Sequence, residues 1–198
     1  TKAELTALRA ACDAHGLYLY LDGARLAQAL TAAGSDLRPE DLPQLCDAFY
    51  IGGTKNGALF GEALVLTRPM PHFRWHMKQR GAVLAKGRLL GVQFEAAFEA
   101  PADGGEAPYW RLARGANECA LRLRAGLAEL GFKPYGDSAS NQQFFVVTPA
   151  QRDAFEAACG CETFYELSDK QVVVRFVCSW ATGEKDVDEL LALAATLA

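Results

Sequence analysis

Tyr50-Ile51-Gly52-Gly53-Thr54-Lys55-Asn56-Gly57 sets a lysine among glycines at the end of an apolar run, an arrangement that folding alone explains poorly. One strand earlier, Leu19-Tyr20-Leu21-Asp22-Gly23-Ala24-Arg25 repeats the design: an apolar strand, a carboxylate at its tip, a glycine, then a helix. Outward from these two stretches, residues 17–21, 48–51 and 63–67 have the length and apolar content of buried strands, with a helix expected over 25–33. Strands alternating with helices predict an α/β sheet that is at least partly parallel. In open α/β sheets ligands sit at the carboxyl ends of strands, where both Asp22 and Lys55 fall. An amine and an acid are therefore expected to face one bound group.

The chain starts on a helix: Thr1 and Glu4 fit a capping box, Leu5, Leu8 and Cys12 share a face, and Gly16 supplies the stop. A polar connection is expected up to Pro43. Residues 72–100 read as a long helical stretch that is apolar on more than one face. Gly81, Gly87 and Gly91 each lower helix propensity by about 1 kcal/mol relative to alanine, which predicts close packing or a break near Gly81. Residues 101–108, rich in Pro, Gly and acidic side chains, mark the boundary between a first part (1–100) and a second (101–198). The second part reads helix 110–130, strand 143–147, helix 149–158, strands 164–167 and 172–177, and helix 184–197, a small α+β unit.

With 51% hydrophobic and 22% charged residues the chain is globular, and its net charge of −4 gives no electrostatic reason to expect nucleic acid or an anionic membrane as partner. No apolar run approaches the roughly 20 residues needed to cross a bilayer, and Thr1-Lys2-Ala3-Glu4 lacks the pattern of a signal peptide, so the cytoplasm is expected. Six cysteines without a CxxC, and without histidine at ligand spacing, argue against a zinc site or a disulfide framework, so no metal is expected. Cys159-Gly160-Cys161, the one close pair, reads as two small buried residues around a turn, which outweighs a redox role.

A lysine performs covalent chemistry by condensing with a carbonyl, above all that of pyridoxal phosphate, whose ring nitrogen needs a carboxylate partner for the ring to act as an electron sink. Asp22 would be that partner, and Thr54 could reach the phosphate. Taken singly, each motif has a simpler explanation: Asp22 caps a helix and Lys55 is a solvated loop residue. The pair in this order shifts the balance. Gly52-Gly53-Thr54-Lys55-Asn56-Gly57 lacks the Gly-Lys-Ser/Thr order of a nucleotide-binding loop.

Leu21-Asp22-Gly23-Ala24-Arg25-Leu26 followed by Gly52-Gly53-Thr54-Lys55-Asn56-Gly57-Ala58 resembles the low-specificity L-threonine aldolases, members of the β-eliminating lyase group of fold-type-I pyridoxal phosphate enzymes. The likeness continues through residues 80–91 and 140–141 to Val172-Val173-Val174-Arg175-Phe176-Val177, covering nearly the whole chain. It implies the large cofactor-binding α/β domain of a fold-type-I transferase, present in part, followed by a small α+β domain. It implies that Lys55 holds the cofactor, that Asp22 pairs with its ring nitrogen, and that Arg25 and Arg175 grip the substrate α-carboxylate, a task suited to the guanidinium fork. Asn141 matches a family asparagine to which no catalytic role is given. Without the resemblance, Arg175 would read as an edge-strand arginine paired with a neighbouring carboxylate.

The implied reaction is retro-aldol cleavage of L-threonine, L-allo-threonine or a related β-hydroxy-α-amino acid to glycine and an aldehyde, in a homodimer or homotetramer. The alternatives are β-elimination or transamination on the same scaffold, or an inactive fragment lacking an N-terminal half. Where many relatives read Gly-Gly-Gly-Met-Arg-Gln, this chain has Gly81-Ala82-Val83-Leu84-Ala85-Lys86, so phosphate contacts or subunit packing differ, with Lys86 and Arg88 as candidate anion contacts. Relatives carry roughly a domain's worth of sequence before the position of Thr1, including the group that stacks on the cofactor ring. None of His15, His72 and His76 is that group. The chain is thus expected to be the C-terminal portion of a longer enzyme.

Overall fold

A computed structural model describes residues 1–198. It divides into two compact units, Thr1–Leu30 with Gly34–Arg111 and Thr31–Ala33 with Leu112–Ala198. The chain opens with helix α1 (Lys2–Ala14), where the Thr1 hydroxyl accepts from the Glu4 amide and the Glu4 carboxylate accepts from the Thr1 amine. Strand β1 (Tyr20–Leu21) follows, then helices α2 (Leu26–Leu30) and α3 (Leu42–Leu45), strand β2 (Ala48–Gly52) and strand β3 (Glu62–Leu66). β1 lies parallel to β2, pairing Leu21 with Phe49, and β3 returns antiparallel. The partly parallel sheet is as expected.

β1 is shorter than the apolar run because its first residues are used elsewhere. The Leu17 amide donates to Cys12 O (2.8 Å) to close α1, and the Leu19 amide donates to Asp47 Oδ2 (2.7 Å). Asp47 also pairs with Arg9 of α1 at 2.6 Å, and both side chains are 14% exposed, so the helix is tied to the entry of β2 by a charge pair largely shielded from solvent. Beneath it, Leu26, Leu42, Leu45, Cys46 and Phe49 form the apolar core of this unit. α3 does not show in the sequence because Pro43 sits in its first turn, where proline is tolerated.

The expected long helix is two, α4 (Phe73–Gln79) and α5 (Arg88–Phe98), separated at Gly81 as its propensity predicts. Helix α6 (Pro108–Glu129) comes next. The first turn of α6 packs within the first unit, where the buried Tyr109 hydroxyl donates to Gly52 O at 3.0 Å.

The second unit contains strands β4 (Lys133–Pro134) and β5 (Gln142–Val147), helix α7 (Pro149–Cys159), strands β6 (Glu162–Ser168) and β7 (Gln171–Val177), and helix α8 (Glu184–Leu197). Its antiparallel sheet has the order β4-β5-β7-β6. Phe145, Phe155 and Phe176 stack edge to face in the core with Leu123, Leu127, Val172 and Val174. A methyl group on Gly126 would lie 2.6 Å from Leu191, so glycine is what lets α6 and α8 approach so closely. No helix is long and apolar enough to cross a membrane.

Candidate active site

Asp22 leaves the tip of β1 and Lys55 follows the tip of its parallel neighbour β2, in a 3-10 turn at Thr54–Asn56. Three glycines lock the two tips together. A Cβ on Gly23 would fall 1.6 Å from Tyr50 O, and one on Gly52 would fall 2.6 Å from both Gly23 O and Ala24 O. The Gly52 amide donates to Gly23 O at 3.0 Å across the same junction. Gly53 is confined in turn by Gly61 O and the Phe94 ring, and its amide donates to Glu62 Oε2 at 2.6 Å. The glycines are therefore required by chain packing at this junction.

Lys55 and Thr54 are exposed, while the next residue, Asn56, is buried and anchors the turn. Its Nδ2 donates to Tyr109 O (2.8 Å) and its Oδ1 accepts from Gln28 Nε2 (3.1 Å). Gly57 then takes a φ of +96°, a left-handed conformation that ends the turn and favours glycine. A rigid, buried floor thus presents an exposed amine.

The Asp22 carboxylate accepts the Tyr50 hydroxyl and the Ala24 amide (3.1 Å), both at Oδ1. Those two bonds leave Oδ2 as the acceptor that a protonated ring nitrogen needs. The Tyr50 hydroxyl, then the Ala24 amide, then the positive charge of Lys55 hold Asp22 below the usual carboxylate range. Lys55 is thus near enough for its charge to act on Asp22. Asp22 in turn pushes the Tyr50 phenol up to about 12, so Tyr50 remains a donor at neutral pH. A carboxylate with a free acceptor oxygen and an exposed amine on neighbouring strand tips are groups that would suit pyridoxal phosphate.

Because Asp22 is lowered in the fold, its contribution to stability is present above its unfolded pKa and is lost as pH falls through the folded one. Tyr50→Phe removes the largest cause. The Asp22 carboxyl carbon, followed by NMR, is expected to titrate at higher pH in the variant; an unchanged midpoint would show that the phenol does not set its acidity.

Arg25 is half-buried in the turn leading into α2. Arg175 lies on β7, an interior strand, so it is not an edge residue. Its guanidinium pairs with Glu162 directly across on β6 and donates to Gln142 Oε1 at 3.1 Å, while its buried Nε has no partner. Asn141 is structural: its Nδ2 donates to Cys178 O (2.7 Å), and its own carbonyl accepts the Cys178 amide. Lys86 and Arg88 are both exposed near the start of α5. Tyr50, Asn56 and Tyr109 do not stand out in the sequence; only Asn56, a polar residue between Lys55 and Gly57, gives any local signal.

The beta-eliminating lyase family profile matches residues 1–150. The chain is 31% identical over 193 residues to a low specificity L-threonine aldolase of Pseudomonas sp., covering 96% of this chain and 53% of that protein. A solved threonine aldolase of Leishmania major is 39% identical and superposes with a TM-score of 0.90, over 99% of this chain and 56% of that one. Serine palmitoyltransferase of Sphingomonas wittichii, 15% identical with a TM-score of 0.65 over 97% of this chain and 50% of that one, shares the fold-type-I architecture alone. The chain spans about half the length of the curated relatives it matches. With the family profile matched over residues 1–150, the chain belongs to the beta-eliminating lyase family of pyridoxal-phosphate-dependent enzymes.

Proposed function

We propose that the complete protein cleaves L-threonine, L-allo-threonine or related β-hydroxy-α-amino acids to glycine and an aldehyde. The observation that carries this reading is the placement of Asp22 and Lys55 just beyond the tips of two adjacent parallel strands, held together at the Gly23–Gly52 junction. The names of its relatives, threonine aldolases at 30% and 31% identity, support the choice of reaction. Pyridoxal phosphate, when bound, supplies an electron-accepting ring for the pair released from the Cα–Cβ bond.

The remaining work falls to side chains of this chain. Lys55 anchors the cofactor through its ε-amine, and the Thr54 hydroxyl reaches its phosphate. Asp22 stays anionic beside the ring nitrogen and keeps a proton there, the fixed charge that makes the ring a good sink. Arg25 and Arg175 take the substrate α-carboxylate, an assignment that rests on the resemblance. On the same reading, residues 1–100 are the later part of the cofactor-binding domain and 101–198 the small domain, in a cytoplasmic homodimer or homotetramer.

Incubating the cofactor-loaded protein with L-threonine and analysing products tests the reaction. Glycine with acetaldehyde in equal amounts is expected. An oxoacid with ammonia would assign β-elimination to this scaffold instead, and neither product with no cofactor absorbance would make the chain an inactive fragment.

A further inference from the structure

The second unit holds a feature with no part in that chemistry. Cys159 is the last residue of α7 and Cys161 directly precedes β6; Gly160 joins them with a φ of +65°. The reading of two small buried residues fits only half of this pair: Cys161 is 8% exposed, whereas Cys159 is exposed. The Cys159 thiol donates to Phe155 O at 3.1 Å, and its neighbour Cys161 holds it below the usual thiol range. Both cysteines line a cavity of about 300 Å³ whose wall also includes Leu123, Glu162, Arg175 and Cys178.

We propose that Cys159 and Cys161 are an oxidisable dithiol, a modification site at which a small hydroperoxide converts the pair to a disulfide. The steps balance. The Cys159 sulfur attacks one oxygen of hydrogen peroxide and breaks the O–O bond; it becomes a sulfenic acid, and its proton leaves with the departing oxygen as water. The Cys161 sulfur then attacks the sulfenic sulfur, its own proton goes to the leaving hydroxide, and a second water departs as the S–S bond forms. The sulfur pair loses two electrons and the peroxide gains them.

The division of labour follows from placement. The attacking thiol must be reachable and its anion stabilised, which holds for Cys159: it is exposed, and the neighbouring Cys161 pulls its thiol down. The resolving thiol must be close and sheltered, which holds for Cys161, pushed up by the same contact and by burial. Cys178, in the same cavity wall, is pushed up to about 12 by burial and stays out of the exchange. A glycine between the cysteines gives the small ring the backbone freedom it needs to close. This inference needs neither cofactor nor substrate, so it stands or falls apart from the proposed reaction.

Residues 153–170 form one tryptic peptide that contains both cysteines. After treatment of the protein with one equivalent of hydrogen peroxide and blocking of free thiols, this peptide is expected to be two hydrogen masses lighter and unblocked, and to recover both thiols with dithiothreitol. Before oxidation, Cys159 is expected to react with iodoacetamide several-fold faster than the half-buried Cys12, because it is the more exposed of the two. In Cys161→Ser the reaction stops at a sulfenic acid on Cys159 that dimedone traps; in Cys159→Ser, Cys161 stays reduced at the same dose. Preferential oxidation of another cysteine, or direct passage of Cys159 to sulfinic acid in the unmutated protein, overturns the proposal without recourse to the variants.

Discussion

Lys55→Ala is expected to lower retro-aldol turnover on the order of 10⁴-fold, about 5 kcal/mol of transition-state stabilisation, while leaving the fold intact. The two halves of that expectation come from different observations. Lys55 is exposed, and its turn is held by its neighbours: Asn56 is bonded to Gln28 and Tyr109, and Gly53 to Glu62. Truncating it should shift stability by no more than about 0.5 kcal/mol, as for an ordinary surface site. Its chemical role has no substitute, because no other amine follows the tip of β2 so closely. Turnover in the cofactor-loaded protein and its urea midpoint, measured together, separate the two effects. Retained turnover would remove Lys55 from the chemistry, and a collapsed midpoint would show that the lysine holds the fold.

Gly23→Ala should act in the opposite way, damaging the fold and the site at once. Its new methyl would need to occupy a point 1.6 Å from Tyr50 O, a backbone atom of β2 that cannot swing aside as a side chain could. The Asp22 loop must then lift from β2, breaking the Gly52-to-Gly23 hydrogen bond and withdrawing Asp22 from the Tyr50 hydroxyl. Overpacking of this kind costs about 3 kcal/mol or more, and the lost bond adds about 1 kcal/mol. Gly115→Ala is the control: this glycine lies in α6 with open space around its Cα, and alanine there should stabilise by up to about 1 kcal/mol. Equal midpoints for the two variants would mean that the strand tips are not locked.

Features encoded within a few residues are legible in the amino-acid sequence itself. The capping box at Thr1, the break at Gly81 and the strand-tip positions of Asp22 and Lys55 all depend on local spacing. What escapes depends on distant partners. Nothing around Tyr109 indicates that its hydroxyl crosses to Gly52, and nothing around Tyr50 that it bonds Asp22, because each contact exists only once the sheet is assembled. The glycines beside Lys55 stand out in the sequence, yet their reason does not: the close approach of β2 to the Asp22 loop is a tertiary fact. Arg175 illustrates the same limit, since its carboxylate neighbour is foreseeable but its interior strand is not.

The central claim is that Lys55 and Asp22 together define a pyridoxal phosphate site. Loading the protein with that cofactor, reducing it with borohydride and mapping tryptic peptides locates the attached amine directly. The account predicts a single pyridoxyl group on Lys55, with loading weakened by Asp22→Ala; a label on another lysine, or loading indifferent to Asp22, would contradict it.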